Sequence, residues 1–598
     1  MNTPKTIAHM QYQRMSRNPS DDSYFFKQGE EWVPVKHKDA LQNGIEIGMG
    51  LWAMGVRHHD RIAVMSATRP EWASIDNGAL NMGAAVVSIY PTSTAETTAY
   101  ILQNSGAKVV FLETVEHWNI LDQIRANLPG LEHVVMIDPT DVPTGDWLTL
   151  ENIKERGREL IKEQPGLPDE VRAQVRPEDL ASLMYTSGTT GLPKGVALTH
   201  EMLMSIVETV SKLAPLKEGD TGVIYLPMSH IMQRVNVYVG RHIGLIGYFA
   251  PSIYDFVETC QAANPVNLPG VPRMLEKIHS RIMAGLEQAS PFRKNLFLSA
   301  IQTGRQRVRL ELAGQPVPFG LKAKSALFEK LVYSKIRGRL FGDKIEFLTS
   351  GAAPISEELL EFYYAIGLPI YEGYGLTETS SPITLNLPDR FKLGTVGPAL
   401  PGCEVKIADD GEVLLKGPSV FKLYYNNPEA TADAFTEDGW FKSGDIGELD
   451  EEGFLRITDR KKYLIITAGG KNIAPAPIEQ KLIQHPLIGQ IVVHGDQRKY
   501  LSALFTLDPE SLEAWAAQNK KAHLSPAELA ADPILHQSIN EHVDAVNGSL
   551  ARYETIKKFT ILPEEFTIDN GYLTSSMKLK RKVVEKDFSG VLDGMYSE

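Results

Sequence analysis

The sequence predicts an α/β protein with a large N-terminal domain, built from parallel-sheet α/β subdomains and a small β-barrel-like subdomain, and a small α+β C-terminal domain. Short, continuously apolar runs alternate with amphipathic helical patterns from Arg61 onward. Such runs are typical of parallel strands that helices cover on both faces. Between Gly394 and Asp450 the pattern becomes hairpin-like. The length of 598 residues also exceeds what one hydrophobic core organises.

Composition excludes several classes of protein. The formal net charge of −13 argues against a nucleic-acid partner, whose recognition needs a basic surface. Cys260 and Cys403 are the only cysteines, which predicts a reducing compartment and no disulfide framework. The N-terminus lacks the apolar core of a signal peptide, and the most apolar internal stretch, from Ile243 to Ile253, is far shorter than the ~20 residues that span a membrane. We therefore expect a cytoplasmic protein that contacts membranes, if at all, peripherally at their inner face.

The first part of the chain predicts three strands of a parallel sheet, separated by two helices. Gly106 is the expected end of the second helix. The segment from Pro139 to Arg176 is richer in charge and proline, which predicts a surface connection. Strands are predicted over 61–65, 84–90 and 108–112, and helices over 71–82 and 95–105.

A glycine-rich loop follows the next buried strand, Leu180 to Tyr185. Its glycines allow backbone N–H groups to converge on one point, its hydroxyls add donors, and Lys194 adds a positive charge. This combination suits a polyphosphate, although Gly195 after the lysine departs from the Walker pattern. The candidate phosphate-binding residues are Thr186, Ser187, Gly188, Thr189, Thr190 and Lys194.

Further candidate site residues follow three later strands. His230 lies just after the strand Gly222 to Leu226, and carboxyl ends of strands carry the sites of open α/β sheets. A lone histidine at such a place is nevertheless more often structural. The strand from Ile345 to Thr349 leads to a small-residue loop, Gly351, Ala352 and Ala353, that leaves room for a ligand. The motif that contains Gly375 then offers a flat ring, a hydroxyl and a hard carboxylate ligand for Mg²⁺, from Tyr374, Thr377 and Glu378.

Residues 291–340 are strongly basic within this acidic chain. Eleven lysines and arginines stand against Glu311 and Glu329, with five aromatic residues interleaved. One interpretation is a solvated helical face or a subunit contact, as in a homodimer. The other is a patch that lies on anionic lipid headgroups.

Taken in order, the strings Tyr185–Gly195, Glu372–Glu378, Trp440–Asp445, Leu455–Ile466 and Gly571–Lys582 resemble the motifs of the AMP-forming adenylate-forming enzymes. The closest resemblance is to long-chain fatty acyl-CoA synthetases, and Gly495–Leu504 is similar to the bubblegum subgroup in particular. The resemblance implies a ligase that converts a fatty acid and ATP to an acyl-adenylate and pyrophosphate, then transfers the acyl group to CoA. The implied cofactors are ATP, Mg²⁺ and CoA, and the implied partner is a long-chain fatty acid.

The resemblance also assigns roles to individual residues. Asp445 and Arg460 would bind the ribose, Lys462 would be the pivot of a hinge, and Lys578 would be the catalytic lysine, with Lys580 as the alternative register. His230 would border the acyl pocket, and Thr186 would join Glu378 at the metal. The domains expected are residues 1–459, which hold the ATP and acyl sites, and a mobile domain over 460–598.

Rival functions share part of this pattern. A fatty acyl-AMP ligase that loads a carrier protein, or a synthetase for a medium-chain or aromatic acid, would carry the same nucleotide motifs. A peptide-synthetase module would be expected to continue into a carrier domain beyond Glu598. A non-catalytic lipid-binding relative would be expected to lack Lys578 or Glu378, and both are present.

Overall fold

The computed structural model describes residues 4–186, 192–252, 254–287, 289–574 and 577–597. Its first part is built around a seven-stranded sheet ordered β7-β6-β5-β3-β4-β8-β9, parallel except for the final antiparallel pair. The strands of this part are β1 (Asp22–Gln28), β2 (Glu31–Lys36), β3 (Arg61–Met65), β4 (Ala85–Ile89), β5 (Val109–Leu112), β6 (His133–Met136), β7 (Leu148–Thr149), β8 (Leu180–Thr186) and β9 (Lys194–Thr199). The helices are α1 (Ile7–Arg17), α2 (His37–Ala53), α3 (Pro70–Asn81), α4 (Ala95–Ser105), α5 (Val115–Ile124), α6 (Leu150–Glu163), α7 (Leu167–Arg172) and α8 (His200–Leu213).

The predicted parallel sheet is confirmed, and its strands are apolar throughout because both faces are covered. Val64 belongs to the core cluster beneath α2 and α3, whereas its neighbours Ala63 and Met65 belong to the cluster beneath α4 and α5. Each fully buried aliphatic side chain of this kind contributes about 1.5–3 kcal/mol to stability. Gly106 ends α4 in the left-handed conformation, as predicted, with φ of 60°.

The segment from Pro139 to Arg176 contains more structure than the predicted connection. It forms β7, α6 and α7, and α6 packs against α2 at very short range. A Cβ atom at Gly157 would lie 1.9 Å from the Glu46 carbonyl oxygen, and one at Gly50 would lie 2.0 Å from that of Ile153. Glycine at these two positions is what allows the two helices to touch backbone to backbone.

The second part of the chain forms the other wall of the cleft that is described below. Its sheet has the order β12-β13-β14-β15, and another sheet, β10-β11-β1-β2, incorporates the N-terminal hairpin. The strands are β10 (Thr221–Ile224), β11 (Ile246–Phe249), β12 (Asn267–Gly270), β13 (Phe347–Ser350), β14 (Ile370–Leu376) and β15 (Ser381–Leu385). The helices are α9 (Ile231–Ile243), α10 (Phe256–Ala263), α11 (Pro272–Glu287), α12 (Pro291–Leu312), α13 (Phe319–Phe328), α14 (Ser334–Phe341) and α15 (Glu357–Ala365).

The small β subdomain is a four-stranded antiparallel sheet ordered β16-β17-β18-β19. The predicted turn at Gly411 joins its first two strands, with φ of 84° at the glycine. Register pairs Asp445 on β18 with Arg460 on β19, so these two predicted ribose ligands are cross-strand neighbours. The elements are β16 (Glu404–Ile407), β17 (Glu412–Lys416), α16 (Pro428–Ala434), β18 (Phe441–Leu449) and β19 (Leu455–Arg460).

The last part of the chain has its own apolar cores, around Phe505 and around Phe566. Its three-stranded sheet, β22-β23-β24, combines an antiparallel and a parallel pair, which is an α+β arrangement as predicted. The strands are β20 (Ile465–Ile466), β21 (Asn472–Ile473), β22 (Ile488–His494), β23 (Leu501–Leu507) and β24 (Ile556–Leu562). The helices are α17 (Pro475–Leu482), α18 (Pro509–Gln518), α19 (Pro526–Ala530), α20 (Pro533–Asn547), α21 (Arg581–Asp587) and α22 (Ser589–Gly594).

Ion pairs connect this last part to α11. The Arg281 guanidinium donates to both carboxylate oxygens of Glu510 at 3.3 Å, and Arg273 lies 3.9 Å from Asp508. Both arginines and Lys277 between them follow one another at intervals of four residues, so they form one ridge of the helix. Across the described residues, none of the helices combines the length and the apolar character that crossing a membrane requires.

Candidate active site

One cleft of about 2740 Å³ lies between the N-terminal sheets and the last part of the chain. The site residues predicted from the sequence come from segments that are almost 400 positions apart, and the fold brings them together in this cleft. The predicted residues Ser187, Gly188, Thr189 and Thr190 lie outside the described part of the chain. The other predicted residues all line the cleft: Thr186, Lys194, His230, Gly351, Ala352, Ala353, Tyr374, Gly375, Thr377, Glu378, Asp445, Arg460, Lys462 and Lys578.

The end of the β8–β9 hairpin lines the cleft with two of the predicted phosphate-binding residues. Thr186 and Lys194 are register partners, and they flank the glycine-rich loop from the two strands. The Lys194 ammonium nitrogen lies 4.9 Å from the centre of the Tyr424 ring, within the range of a cation–π interaction. The positive charge of Lys194 is therefore held beside the Tyr424 ring at the start of β9.

The predicted metal ligand lies on a tight turn that follows β14. A Cβ atom at Gly375 would come 2.1 Å from the Ser381 carbonyl oxygen, so only glycine allows the chain to fold back here. The turn buries Glu378, which is 8% exposed, and its Oε1 accepts a hydrogen bond of 2.9 Å from the Tyr424 hydroxyl. The carboxylate of Glu378 and the hydroxyl of Thr186 are hard oxygen donors, which is the ligand chemistry that Mg²⁺ takes.

These two oxygen donors suit a metal ion that also binds the substrate. They suit less well a metal ion whose ligands all come from the protein. Within the described residues, the one group of three or more potential metal ligands is His58, His59 and Asp179, and it does not line the cleft. Mg²⁺ usually uses one or two carboxylates and completes its shell with phosphates and water. Glu378 with Thr186 corresponds to that pattern.

A hydrogen-bonded group forms the wall next to β18 and β19. The Tyr374 hydroxyl donates to Asp445 at 2.6 Å, and the Arg460 guanidinium Nε lies 2.7 Å from the other carboxylate oxygen. Burial raises the pKa of the Asp445 carboxyl, and the neighbouring Arg460 opposes that effect. A carboxylate fixed in this way offers acceptors to the two hydroxyls of a ribose, while the adjacent tyrosine ring offers a flat face.

Lys578 reaches the cleft from the last part of the chain. Its backbone N–H donates to the Thr574 hydroxyl at 3.0 Å, and its carbonyl accepts from the Thr574 N–H at 2.8 Å. Burial in the cleft lowers the pKa of the Lys578 ammonium, Arg460 lowers it further, and Glu378 and Asp445 oppose the change. The Lys578 ammonium thus interacts electrostatically with both Glu378, the predicted metal ligand, and Asp445, the predicted ribose ligand.

Lys462 lies in the short helical turn that follows β19, between the two parts of the chain. Burial lowers the pKa of Lys462 to about 8, and Arg460 and Lys578 contribute in the same direction. Arg460, Lys462 and Lys578 repel one another in this cleft, and the Asp445 carboxylate that pairs with Arg460 offsets part of that repulsion. The electrostatics of this region therefore favour a polyanionic ligand.

His230 caps the N-terminus of α9. Its ring Nδ1 accepts the Met232 backbone N–H at 3.2 Å, so a neutral ring carries its proton on Nε2. Burial, followed by the charge of Lys578, lowers the pKa of His230 to about 4. At neutral pH the residue is an uncharged donor that borders the apolar residues Ile231 and Met232 at the cleft wall.

Sequence reasoning missed two residues of the cleft, Glu372 and Tyr424. Glu372 lies beside Ser350 in the β13–β14 register, and it is 7% exposed with its Oε2 lacking a hydrogen-bond partner among the described residues. Burial raises the pKa of Glu372 to about 8, so the carboxyl is protonated at neutral pH. Glu372 begins the motif Glu372–Glu378, and that position was the only signal for it in the sequence. What makes the carboxyl unusual is its burial, which the residue type does not indicate. Tyr424 had no motif signal.

Two protein-family models match most of the chain. A family model described as AMP-binding enzyme matches residues 13–425. A second, described as AMP-binding enzyme C-terminal domain, matches residues 462–598.

Two relatives illustrate the sequence similarity. The chain is 39% identical to the long-chain-fatty-acid–CoA ligase FadD15 of Mycobacterium bovis over 570 residues, which cover 95% of this chain and 93% of that protein. It is 31% identical to the long-chain-fatty-acid–CoA ligase ACSBG2 of Xenopus laevis, over 100% of this chain and 84% of that protein.

Solved structures are similar over the whole chain. The fatty acyl CoA synthetase of Mycobacterium tuberculosis superimposes with a TM-score of 0.61 at 25% identity, covering 98% of this chain and 99% of that one. The adenylation domain of a carboxylate reductase from Mycobacterium chelonae gives a TM-score of 0.76 at 21% identity, covering 100% of this chain and 92% of that one. At that identity the second likeness concerns the fold alone.

Proposed function

Because the chain belongs to the family of AMP-binding enzymes, we propose that it is a long-chain fatty acyl-CoA synthetase. It joins a fatty acid to the α-phosphate of ATP with release of pyrophosphate, and it then transfers the acyl group from the adenylate to CoA with release of AMP. The observation that carries this proposal is the similarity to proteins named long-chain-fatty-acid–CoA ligases over nearly the full length of both chains. These relatives confirm the resemblance to the long-chain branch, and the 31% identity to ACSBG2 agrees with the bubblegum subgroup.

The nucleotide is assigned to the walls of the cleft. Asp445 accepts from the ribose hydroxyls, Arg460 holds Asp445 in place, and Tyr374 presents its ring to the base. The polyphosphate lies against Lys194 and the loop that includes Ser187 to Thr190. The remaining nucleotide contacts are assigned to the predicted residues Gly351, Ala352, Ala353, Gly375 and Thr377.

Mg²⁺ is assigned to Glu378 and Thr186, whose oxygens fit it. When bound, the ion would offset negative charge on the triphosphate while the carboxylate of the acid attacks the α-phosphate. The chain's own residues supply the rest of that task. Lys578 brings its ammonium between the carboxylate of the acid and the α-phosphate, because two anions must otherwise approach each other at the reacting atoms.

His230 is assigned to the junction between the reacting carboxylate and the acyl chain. Its Nε2–H can donate a hydrogen bond, while its neutral ring adds no charge that would hold the acid before it reaches Lys578. The apolar neighbours Ile231 and Met232 suit the first carbons of a fatty acid.

The two half-reactions need two arrangements of the chain. We assign residues 1–459 to the domain that holds ATP and acid, and residues 460–598 to the mobile domain, with Lys462 at the hinge. In the observed arrangement Lys578 is in the cleft, which corresponds to adenylate formation. Rotation about the hinge withdraws the lysine and opens a path for the thiol of CoA.

The membrane assignment rests on residues 291–340, which we call the basic segment. Phe292 and Phe319 begin α12 and α13 and are 76% and 87% exposed, an unusual degree for phenylalanine. Eight basic side chains of the basic segment are exposed as well: Arg293, Lys294, Arg309, Lys322, Lys324, Lys330, Lys335 and Arg339. Exposed rings among cations suit the anionic inner face of a membrane, which would also contain the fatty acid. A homodimer contact at the same segment is the alternative.

The test of the proposed function is pyrophosphate release over a panel of carboxylic acids, measured with and without CoA. We expect pyrophosphate release with saturated and unsaturated long-chain acids. Without CoA the release should stop after about one turnover, because the acyl-adenylate is not consumed. Release that CoA does not stimulate, with acyl transfer to a carrier protein, would favour an acyl-AMP ligase. A preference for short or aromatic acids would contradict the long-chain assignment.

A further inference from the structure

Tyr424 lies between the two groups assigned to the triphosphate and its metal. Its hydroxyl donates to Glu378 Oε1 at 2.9 Å, and its ring lies under the Lys194 ammonium at 4.9 Å. The side chain is almost fully buried, at 7% exposure, and it lines the cleft. One aromatic side chain therefore contacts a predicted metal ligand with its hydroxyl and a predicted phosphate ligand with its face.

We propose that Tyr424 is a positioning residue that orients Glu378 and Lys194 for a Mg²⁺-bound triphosphate. This inference rests on the proposed function, since it assumes that the cleft binds ATP.

The hydroxyl of Tyr424 restrains the orientation of the Glu378 carboxylate. A carboxylate only accepts hydrogen bonds, so the phenol must be the donor of this 2.9 Å contact. With Oε1 bound to this donor, the Glu378 carboxylate is restrained in the orientation in which it would serve as a metal ligand.

The ring of Tyr424 holds the ammonium of Lys194 before the triphosphate arrives. Lysine has a long, flexible side chain that loses entropy when it is fixed. A cation over an aromatic face gains roughly 0.5–2 kcal/mol, which offsets part of that loss. The ring carries no charge, so it does not compete with phosphate for the lysine as a carboxylate would.

The backbone around Tyr424 is anchored to both of the elements that it serves. The Phe421 N–H donates to the Glu378 carbonyl at 2.7 Å, and the Tyr425 N–H donates to the Gly195 carbonyl at 2.7 Å. Tyr424 itself forms an isolated antiparallel bridge with Val196 on β9. Movement of this segment would therefore displace the Glu378 turn and the β9 strand together.

The test compares Tyr424→Phe, which removes only the hydroxyl, with Tyr424→Leu, which removes the ring as well. Tyr425→Phe is the matched control, since it makes the same chemical change one residue further along, at a side chain that does not line the cleft. Equilibrium binding of ATP is titrated by calorimetry at several Mg²⁺ concentrations without any fatty acid. AMP binding, which needs no metal, reports whether the nucleotide walls are intact.

For Tyr424→Phe we expect the Mg²⁺ concentration that half-saturates ATP binding to rise by about tenfold or more, because a hydrogen bond to a charged group is lost. AMP affinity should stay within about twofold. Tyr424→Leu should show the same Mg²⁺ effect and, in addition, weaker ATP binding at saturating Mg²⁺. The kinetic counterpart is a raised KM for Mg·ATP in pyrophosphate exchange, with a smaller change in kcat.

An unchanged Mg²⁺ dependence in Tyr424→Phe, or an equal change in Tyr425→Phe, would overturn the proposal. A loss of AMP affinity as large as the loss of ATP affinity would assign Tyr424 a purely structural role and overturn it too. If the unsubstituted protein bound no ATP at any Mg²⁺ concentration, the proposed function itself would fail, which is a distinguishable result.

Discussion

At the scale of single residues, the cleft combines groups whose charges would repel one another without a ligand. Arg460, Lys462 and Lys578 lie close together, and the pKa values of both lysines are lowered. Asp445 and Glu378 offset part of this positive charge. The negative charges of a bound triphosphate and of the fatty acid carboxylate would offset the rest. The site is therefore built for anions that are present only during turnover.

Glu372 provides a stability prediction at this scale. Its folded-state pKa of about 8 lies above the ordinary value of 4.5, so the folded state holds a proton that the unfolded state releases between those values. Stability then falls as pH rises from about 4.5 to about 8, by a few kcal/mol at most for this one group. Glu372→Gln cannot ionise, so its thermal midpoint should exceed that of the parent protein increasingly over this range.

The measurement is the difference in thermal midpoint between Glu372→Gln and the parent at pH 5 and at pH 8. A Glu358→Gln variant serves as the control, since Glu358 is exposed and is not among the charges that shift the pKa of Glu372. A difference that is equal at both pH values would show that Glu372 is ionised in the folded state.

Which site residues the sequence predicts depends on how local their signals are. Glu378 stands in a contiguous string whose residue types suggest its chemistry, and the resemblance of two other contiguous strings to family motifs identifies Asp445 and Lys578. Glu372 stands in such a string too, but its protonation is a consequence of packing against Ser350 and the strands around it. Tyr424 acts through Glu378, 46 positions away, and nothing near it in sequence indicates that partner.

At the scale of elements, strands and helices with regular apolar patterns follow the sequence prediction closely, as α4 and β3 show. The exceptions depend on distant partners. The hairpin of β1 and β2 joins β11, which lies more than 200 positions later, and α6 depends on glycine-to-backbone contact with α2. Neither contact leaves a local pattern, which is why the segment that contains α6 was predicted as a simple connection.

The basic segment provides the prediction at this scale. Arg307 and Arg309 pair with Glu311 and Glu361, so they are less available to lipid than Lys322 and Lys324, which are exposed on α13 beside Phe319. Each cation at an anionic surface contributes about 1 kcal/mol. The double variant Lys322→Glu, Lys324→Glu should bind anionic vesicles at least about tenfold more weakly than the parent.

Co-sedimentation with anionic and neutral vesicles measures this effect. The control reverses two exposed lysines of the last part of the chain, Lys520 and Lys557. The same loss in the control would indicate a general charge effect, and equal binding to neutral vesicles would favour a subunit contact for the basic segment.

At the scale of the whole molecule, the ridge of α11 joins the two parts of the chain in the arrangement that places Lys578 in the cleft. Arg281→Glu and Glu510→Arg should each disfavour this arrangement, because each creates a like-charge pair across the contact. Exposed pairs contribute little individually, so we expect the ratio of adenylate formation to thioester formation to fall by about two- to fivefold at low salt. Combining the two changes restores an opposite-charge pair and should restore the ratio.

The ratio is measured from pyrophosphate exchange and from thioester formation with supplied acyl-adenylate. Arg309→Glu is the control, since its partner Glu361 lies in the same part of the chain. Failure of the double variant to recover would show that the ridge does not favour one arrangement.

The central claim is that this cleft forms an acyl-adenylate with the aid of Lys578 and then passes the acyl group to CoA. The measurement that tests it most directly is the rate of each half-reaction, with a long-chain acid, for the parent and for Lys578→Ala. We predict that acyl-adenylate formation falls by about a hundredfold or more, whereas conversion of supplied acyl-adenylate to acyl-CoA stays within a few-fold of the parent. An equal loss in both half-reactions, or no loss in either, would contradict the account.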